Sequence, residues 1–237
     1  MTRWRISELD QVTSLTRGVA LPLPPIGQQA IDIILEAIAS AWEQLQLGYM
    51  HVLVMGTEVE ISTLLINLMN EALGSDDDGG LGVYVSSVSR GSEQINFNGE
   101  KLELRPDIQF ALTRLDTRFR LIVECKLIDL KAKKTPALYR DHGIKRFVDG
   151  DYAWACQEAI MLAYVRCATS RLEPSVLSGL MGIPDMQCVA QSMQLSSSGL
   201  IKPDALGTSS HDRKFQYVPA QAVPPGKIDL WHLWLEV

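Results

Sequence analysis

One short run, Phe-Arg-Leu-Ile-Val-Glu-Cys at 119–125, followed at once by Lys126, constrains the fold of this chain most. Its centre is apolar and its charges stand at the ends, the pattern of a strand in the middle of a sheet. Side chains two apart on a strand share a face, so Glu124 and Lys126 project together while Cys125 points the other way. A carboxylate and an ammonium at the end of so apolar a strand are costly unless paired, solvated or bound to a metal.

Around that run the period of the sequence changes twice. Residues 28–47 carry Ile31, Ile34, Leu35, Ile38 and Trp42 at helical spacing, and residues 58–73 carry Ile61, Leu64, Leu65 and Leu68 likewise. The apolar 51–55 between them reads as a strand or as the tail of a helical layer. The prolines of 21–27 stop regular structure, and the glycines and aspartates of 74–80 read as a turn or loop. Residues 81–89 then read as a strand. Residues 94–97 and 101–104 flank Asn98-Gly99, a hairpin signal, and 107–110 lead into another strand. Helices are expected over 136–147 and 152–167, a short helix and loop over 170–185, and irregular chain over 192–200. The closing Ile-Asp-Leu-Trp-His-Leu-Trp-Leu-Glu-Val reads as a final strand at a sheet edge. Helices, strands and helices again predict an α/β fold with a mixed central β-sheet flanked by helices. The 237 residues show no repeat or linker and suffice for one sizeable core, so one domain is expected.

Four cysteines without CxxC spacing argue against a zinc knuckle and a disulfide framework, so a reducing cytoplasm is the expected setting. No apolar stretch is long enough for a membrane span, and the first residues lack a signal-peptide core. The net charge of −6 hides an asymmetry. Residues 114–146 hold ten Lys/Arg against four Asp/Glu, a local balance of +6 that leaves −12 for the rest. Such a window can supply phosphate contacts, and it equally suits a solvated basic surface. The sequence has no GxSxG, P-loop or GxGxxG, which removes the usual support for a small-molecule hydrolase or an internal ATPase motor.

Asp107 stands just before one predicted strand and Glu124 near the end of another, and both are hard oxygen donors suited to Mg²⁺ or Mn²⁺. The backbone carbonyl of Cys125 can add a third metal ligand. A metal there would polarise a phosphate and acidify its water, with Lys126 helping to activate that water and offset developing charge. Pro106-Asp107, a 16-residue gap, then Glu124-Cys125-Lys126 resembles the PD-(D/E)xK nuclease superfamily. The resemblance covers about residues 58–165 and implies a restriction-endonuclease-like core, with an N-terminal helical extension over 1–57 and a C-terminal extension over 166–237.

That resemblance implies Mg²⁺-dependent hydrolysis of nucleic acid, with Asp107, Glu124 and Lys126 catalytic and DNA the expected substrate. It also implies a further acidic residue on the preceding helix, for which Glu60 is the first choice and Glu58 the second. A homodimer, or a protein partner such as a separate ATPase or helicase, fits a chain without a motor, in a bacterial phage-defence or mobile-element setting. Tyr139, Lys145, Arg146 and Arg213 are the candidates for nucleic-acid contact. His211 and His232 form a second cluster, whose two imidazoles would allow a pH-sensitive site. The competing reading is a catalytically inactive subunit that binds nucleic acid or a protein partner.

Overall fold

The computed structural model describes residues 8–75, 79–167, 169–196, 199–218 and 223–237. Residues 76–78 of the predicted turn and 197–198 of the predicted irregular stretch lie outside these. Four helices come first, α1 (Glu8–Thr16), α2 (Gln28–Gly48), α3 (Met50–Met55) and α4 (Glu58–Leu73). The apolar run at 51–55 is therefore helical. α2 buries Ile31, Ile34, Leu35, Ile38 and Trp42, the stripe its spacing predicts, and α4 buries Ile61 and Leu65. Each such side chain contributes roughly 1.5–3 kcal/mol on burial, so packing of the stripe outweighs local helix propensity.

Among the described residues seven strands form one mixed sheet: β1 (Val85–Arg90), β2 (Ile108–Leu112), β3 (Leu121–Ile128), β4 (Glu158–Val165), β5 (Cys188–Met193), β6 (Leu206–Asp212) and β7 (Lys227–Glu236). Their spatial order is β1-β2-β3-β4-β7-β6-β5. β3, β4 and β7 run parallel, and the other neighbours are antiparallel. This is an α/β fold whose mixed sheet is flanked by helices.

Several expectations are corrected. A short helix, α5 (Leu81–Tyr84), occupies the first half of the stretch read as one strand. The Asn98-Gly99 pair does turn, with Gly99 at φ 84°, yet its flanks form no strand pair, joined by an isolated bridge from Gln94 to Leu104 and a backbone bond from Asn96 to Lys101. Residues 152–167 are not a helix. Their centre is β4, buried at all eight positions. A near-continuous apolar run carries no period to separate helix from strand, and here parallel neighbours on both edges fix the strand. The terminal strand also lies inside the sheet, between β4 and β6, so the sheet is not confined to 58–165.

One face of the sheet packs against α2 and α4, where Trp42 stacks on Tyr164 at 5.6 Å between ring centroids. The opposite face carries the register row Glu124, Met161, His232, Gly207 across β3, β4, β7 and β6. It is covered by α6 (Pro136–Tyr139), a π-helical turn (Arg140–Ile144) and α7 (Lys145–Val148), which together replace the single helix expected there. The π turn brings Gly143 so close that a Cβ would stand 2.4 Å from Met161 Cε and 3.8 Å from Lys126 Cγ. No helix among the described residues is long and apolar enough to cross a membrane.

His211 and His232 lie under this cover, fully buried. The Met186 carbonyl can only accept, so His211 Nδ1 donates to it at 2.6 Å. With His211 neutral, its Nε2 accepts from Ser209 Oγ at 2.7 Å, and Ser209 in turn accepts from His232 Nε2 at 2.7 Å. With His232 neutral as well, its Nδ1 accepts from the Tyr139 hydroxyl at 2.8 Å, the shorter of that hydroxyl's two contacts, the other being the Met161 carbonyl at 3.2 Å. With both imidazoles neutral, the state that burial favours, the chain runs in this one direction. Burial, aided by charge on His211, pushes His232 down to about 3, and burial also lowers His211.

The unfolded chain protonates these rings near 6.5, so acidification below that value favours unfolding until the folded pKa is reached. Burial raises Glu124 and Glu158, whose contributions run the opposite way, so a difference measurement isolates the histidine. The stability gap between wild type and His232→Gln, from urea unfolding, is expected to narrow by about 1.4 kcal/mol per pH unit on going from about pH 6 to about pH 4. A gap that does not change with pH would refute a neutral buried His232.

Candidate metal centre

β2 and β3 pair from Phe110–Leu121 to Ile108–Val123, and there the ladder stops. Pro106, two residues back, has no N–H with which to continue it. β3 runs on to Ile128, paired with β4 along one edge only. Two carboxylates take the place of the missing neighbour. Asp107 Oδ2 accepts from the Cys125 amide at 2.8 Å, and Glu58 Oε2, at the start of α4, accepts from the Leu127 amide at 2.7 Å. Amides that would otherwise be unsatisfied thus fix both acids beside the open edge of β3.

Glu124 projects from the strand just before the first of those two amides, with its side chain 2% exposed. Lys126 Nζ donates to Glu124 Oε1 at 2.6 Å and to the Cys125 carbonyl at 2.8 Å, and stands 3.9 Å from Glu58 Oε1. Arg146 adds a second cation, 3.4 Å from Glu124 Oε1. Its guanidinium is held by the Tyr152 hydroxyl at 2.5 Å and lies over the Tyr152 ring. Glu124 Oε2 is buried and has no hydrogen-bond partner. Burial, then the charge of Asp107, pushes Glu124 up to about 8, against the pull of Lys126 and Arg146. Burial also raises Glu58, partly offset by Lys126. For Lys126 burial acts downward, but Glu124, Glu58 and Asp107 outweigh it and hold the ammonium above its ordinary range. Burial thus favours the protonated form of Glu124, while the surrounding carboxylates favour the charged form of Lys126.

Asp107, Glu124, Lys126 and Arg146 are therefore brought together, as expected of the first three. Glu60 is not. Its carboxylate accepts from the Thr57 amide at 2.7 Å and its own amide donates to Thr57 Oγ1 at 3.2 Å, a reciprocal capping box. That box consumes the third residue of the helix and leaves the first, Glu58, to reach β3. Thr57-x-x-Glu60 was the signal in the sequence that separates the two. Cys125 behaves as alternation predicts, its carbonyl at the cluster and its thiol on the opposite face, accepting from Tyr164 at 3.2 Å.

The other expected nucleic-acid contacts lie elsewhere. Tyr139 is wholly buried against His232. Lys145 pairs with Asp149 at 3.1 Å on the surface. Arg213 is 7% exposed, and its guanidinium donates to the carbonyls of Cys156 at 2.9 Å and Pro225 at 2.5 Å, among others. It pins the loop before β4 to the loop before β7, so the expected phosphate role is corrected to a structural one.

Among the described residues no three His, Cys, Asp or Glu side chains stand as a ready-made ligand set. The donors at the open edge nonetheless fit a hard divalent ion. Glu124 Oε2 is a buried oxygen without a partner, and Asp107 and the Cys125 carbonyl are oxygen donors of the same class. The chain matches no protein-family model, no curated protein and no solved structure.

Burial favours the protonated form of Glu124, and a carboxyl must lose its proton to ligate a cation. Titration with Mn²⁺ at pH 7 is therefore expected to release up to about one proton per ion, read from the dependence of the calorimetric heat on buffer ionisation enthalpy. Glu124→Gln is expected to abolish that release. Binding with no proton release would show that Glu124 is ionised beforehand or is not a ligand.

Proposed function

We propose that this protein is a divalent-metal-dependent nuclease that hydrolyses phosphodiester bonds of nucleic acid, with DNA the favoured substrate. The proposal includes a restriction-endonuclease-like core built around β1–β4 and α4. The observation that carries it is the convergence of Asp107, Glu124 and Lys126 at the one place where β2 leaves β3. An unpartnered buried Glu124 oxygen lies among them. These are the residues of the Pro-Asp…Glu-x-Lys pattern, and the start of α4 brings Glu58 beside them.

In this reading Asp107, Glu124 and the Cys125 carbonyl would hold Mg²⁺ or Mn²⁺. When bound, the ion would polarise a phosphate oxygen and acidify a water. Lys126, held by Glu124 and the Cys125 carbonyl, is a cation placed to orient that water or to meet charge developing on the phosphate. Glu58 is a positioning residue, because it fixes the Leu127 amide and faces Lys126. Arg146 is more exposed than Lys126 and, anchored on Tyr152, would offer its remaining N–H groups to a phosphate.

The test is cleavage of single-stranded DNA, duplex DNA, plasmid and RNA with Mg²⁺, Mn²⁺ or EDTA. Asp107→Asn, Glu124→Gln and Lys126→Met are each expected to lose about a thousandfold or more of the metal-dependent rate while remaining folded. Glu60→Ala is expected to keep the rate and melt at a slightly lower temperature, since it loses only a helix cap. Undiminished cleavage by Glu124→Gln would overturn the site. A folded wild type that binds the ion and cuts none of the four substrates would favour the inactive binding subunit.

A further inference from the structure

Beside the carboxylates lies a cavity of about 280 Å³, over the part of the sheet where β2 and β3 are still paired. Its floor is Gln109 and Ile122, which face each other across the two strands. Gln109 is two residues from Asp107, and Ile122 is two residues from Glu124. Strand alternation therefore puts the cavity on the face of the sheet that carries Glu124, one pleat repeat or roughly 7 Å along the strands from the candidate centre. Phe119 and Trp154 line it, packed edge to face with their centroids 5.9 Å apart.

Gln109 is only 4% exposed, and its Nε2 has no hydrogen-bond partner. A glutamine amide offers two N–H donors and an acceptor, and burying a donor unsatisfied is unfavourable. A plain core position of this size would be filled more stably by Leu or Met. The cavity far exceeds the roughly 15 Å³ that admits one water, and it sits just under the ~300 Å³ lower end of small-molecule pockets. It has the dimensions of a flat heterocycle rather than of a whole cofactor. Aromatic walls and an amide at the floor are the two elements that hold an unstacked base, by stacking and by hydrogen bonds to its edge.

We propose that this cavity receives one nucleobase of the substrate strand, with the Gln109 amide donating to an acceptor on the base edge while the adjoining phosphate lies at Asp107, Glu124 and Lys126. The inference rests on the nuclease reading above. It adds to it that one nucleotide is unstacked for cleavage, so single-stranded or locally opened substrate is preferred.

The test uses the full chain with Ca²⁺, an oligo(dT) probe, and a backbone-matched abasic probe of equal length, titrated by calorimetry. The base-bearing probe is expected to bind about tenfold tighter than the abasic one. In Gln109→Leu that preference is expected to fall several-fold with abasic binding unchanged. The same variant is expected to melt at or above the wild-type temperature, because it removes an unsatisfied buried donor. A lowered melting temperature with the preference intact would make Gln109 structural and overturn the pocket. Equal binding of both probes to wild type would overturn the pocket and leave the nuclease reading standing. No binding of either probe, with or without Ca²⁺, would overturn both.

Discussion

The arrangement depends on a strand pair that separates early. Had β2 continued beside β3 past Val123, the amides of Cys125 and Leu127 would be bonded to backbone, and no acid would be needed there. Pro106 ends the ladder instead, and a buried edge of β3 is left asking for acceptors. Asp107 and Glu58 answer it from opposite directions, one from the same chain turn and one from the first residue of α4. The backbone hydrogen-bond requirement thus collects acidic side chains that electrostatics alone would keep apart.

Gathering three carboxylates raises the cost of ionising the most buried of them, and the cations around Glu124 are the response. Lys126 and Arg146 both reach the same oxygen, Oε1, and neither reaches Oε2. The two cations come from different elements, β3 itself and the helical cover. The cover can come so close because the π turn at 140–144 presents a glycine to Met161 and Lys126. A regular helix with a side chain at 143 would have to stand further from the sheet, and Arg146 would move away with it. The irregular turn is therefore part of how the charge cluster is closed.

What the sequence made legible follows from how local each signal is. The stripes of α2 and α4 and the strand of β3 are periodic within one element, and the structure keeps them. Glu124 and Lys126 were legible as a pair because strand alternation alone puts them together. β4 was not, because burial on both faces erases the period that separates helix from strand. Glu60 and Glu58 both suit an acidic position at the start of the helix, and only the threonine before it, which commits Glu60 to the cap, separates them. Arg213 and Tyr139 were misplaced for a different reason. Both carry the chemistry of a phosphate contact, and only long-range packing, against backbone carbonyls in one case and His232 in the other, turns that chemistry inward. Buried charge satisfied by carbonyls leaves no mark in the local sequence.

Two side-chain polar atoms among the described residues are buried with no partner, Gln109 Nε2 and Glu124 Oε2. They stand on paired strands and on one face, a single pleat apart, in a protein whose other buried polar groups are arranged at some length, down to the polarity of the His211–Ser209–His232–Tyr139 chain. Random imperfections of packing would have no reason to fall side by side. One is an acceptor of the kind a cation needs, and the other is a donor of the kind a base edge needs. In the proposed reading, a fold that satisfies its interior elsewhere and leaves this opposite pair open would be stabilised by a ligand that carries both a metal-bound phosphate and a hydrogen-bonding heterocycle, which is the chemistry of a nucleotide.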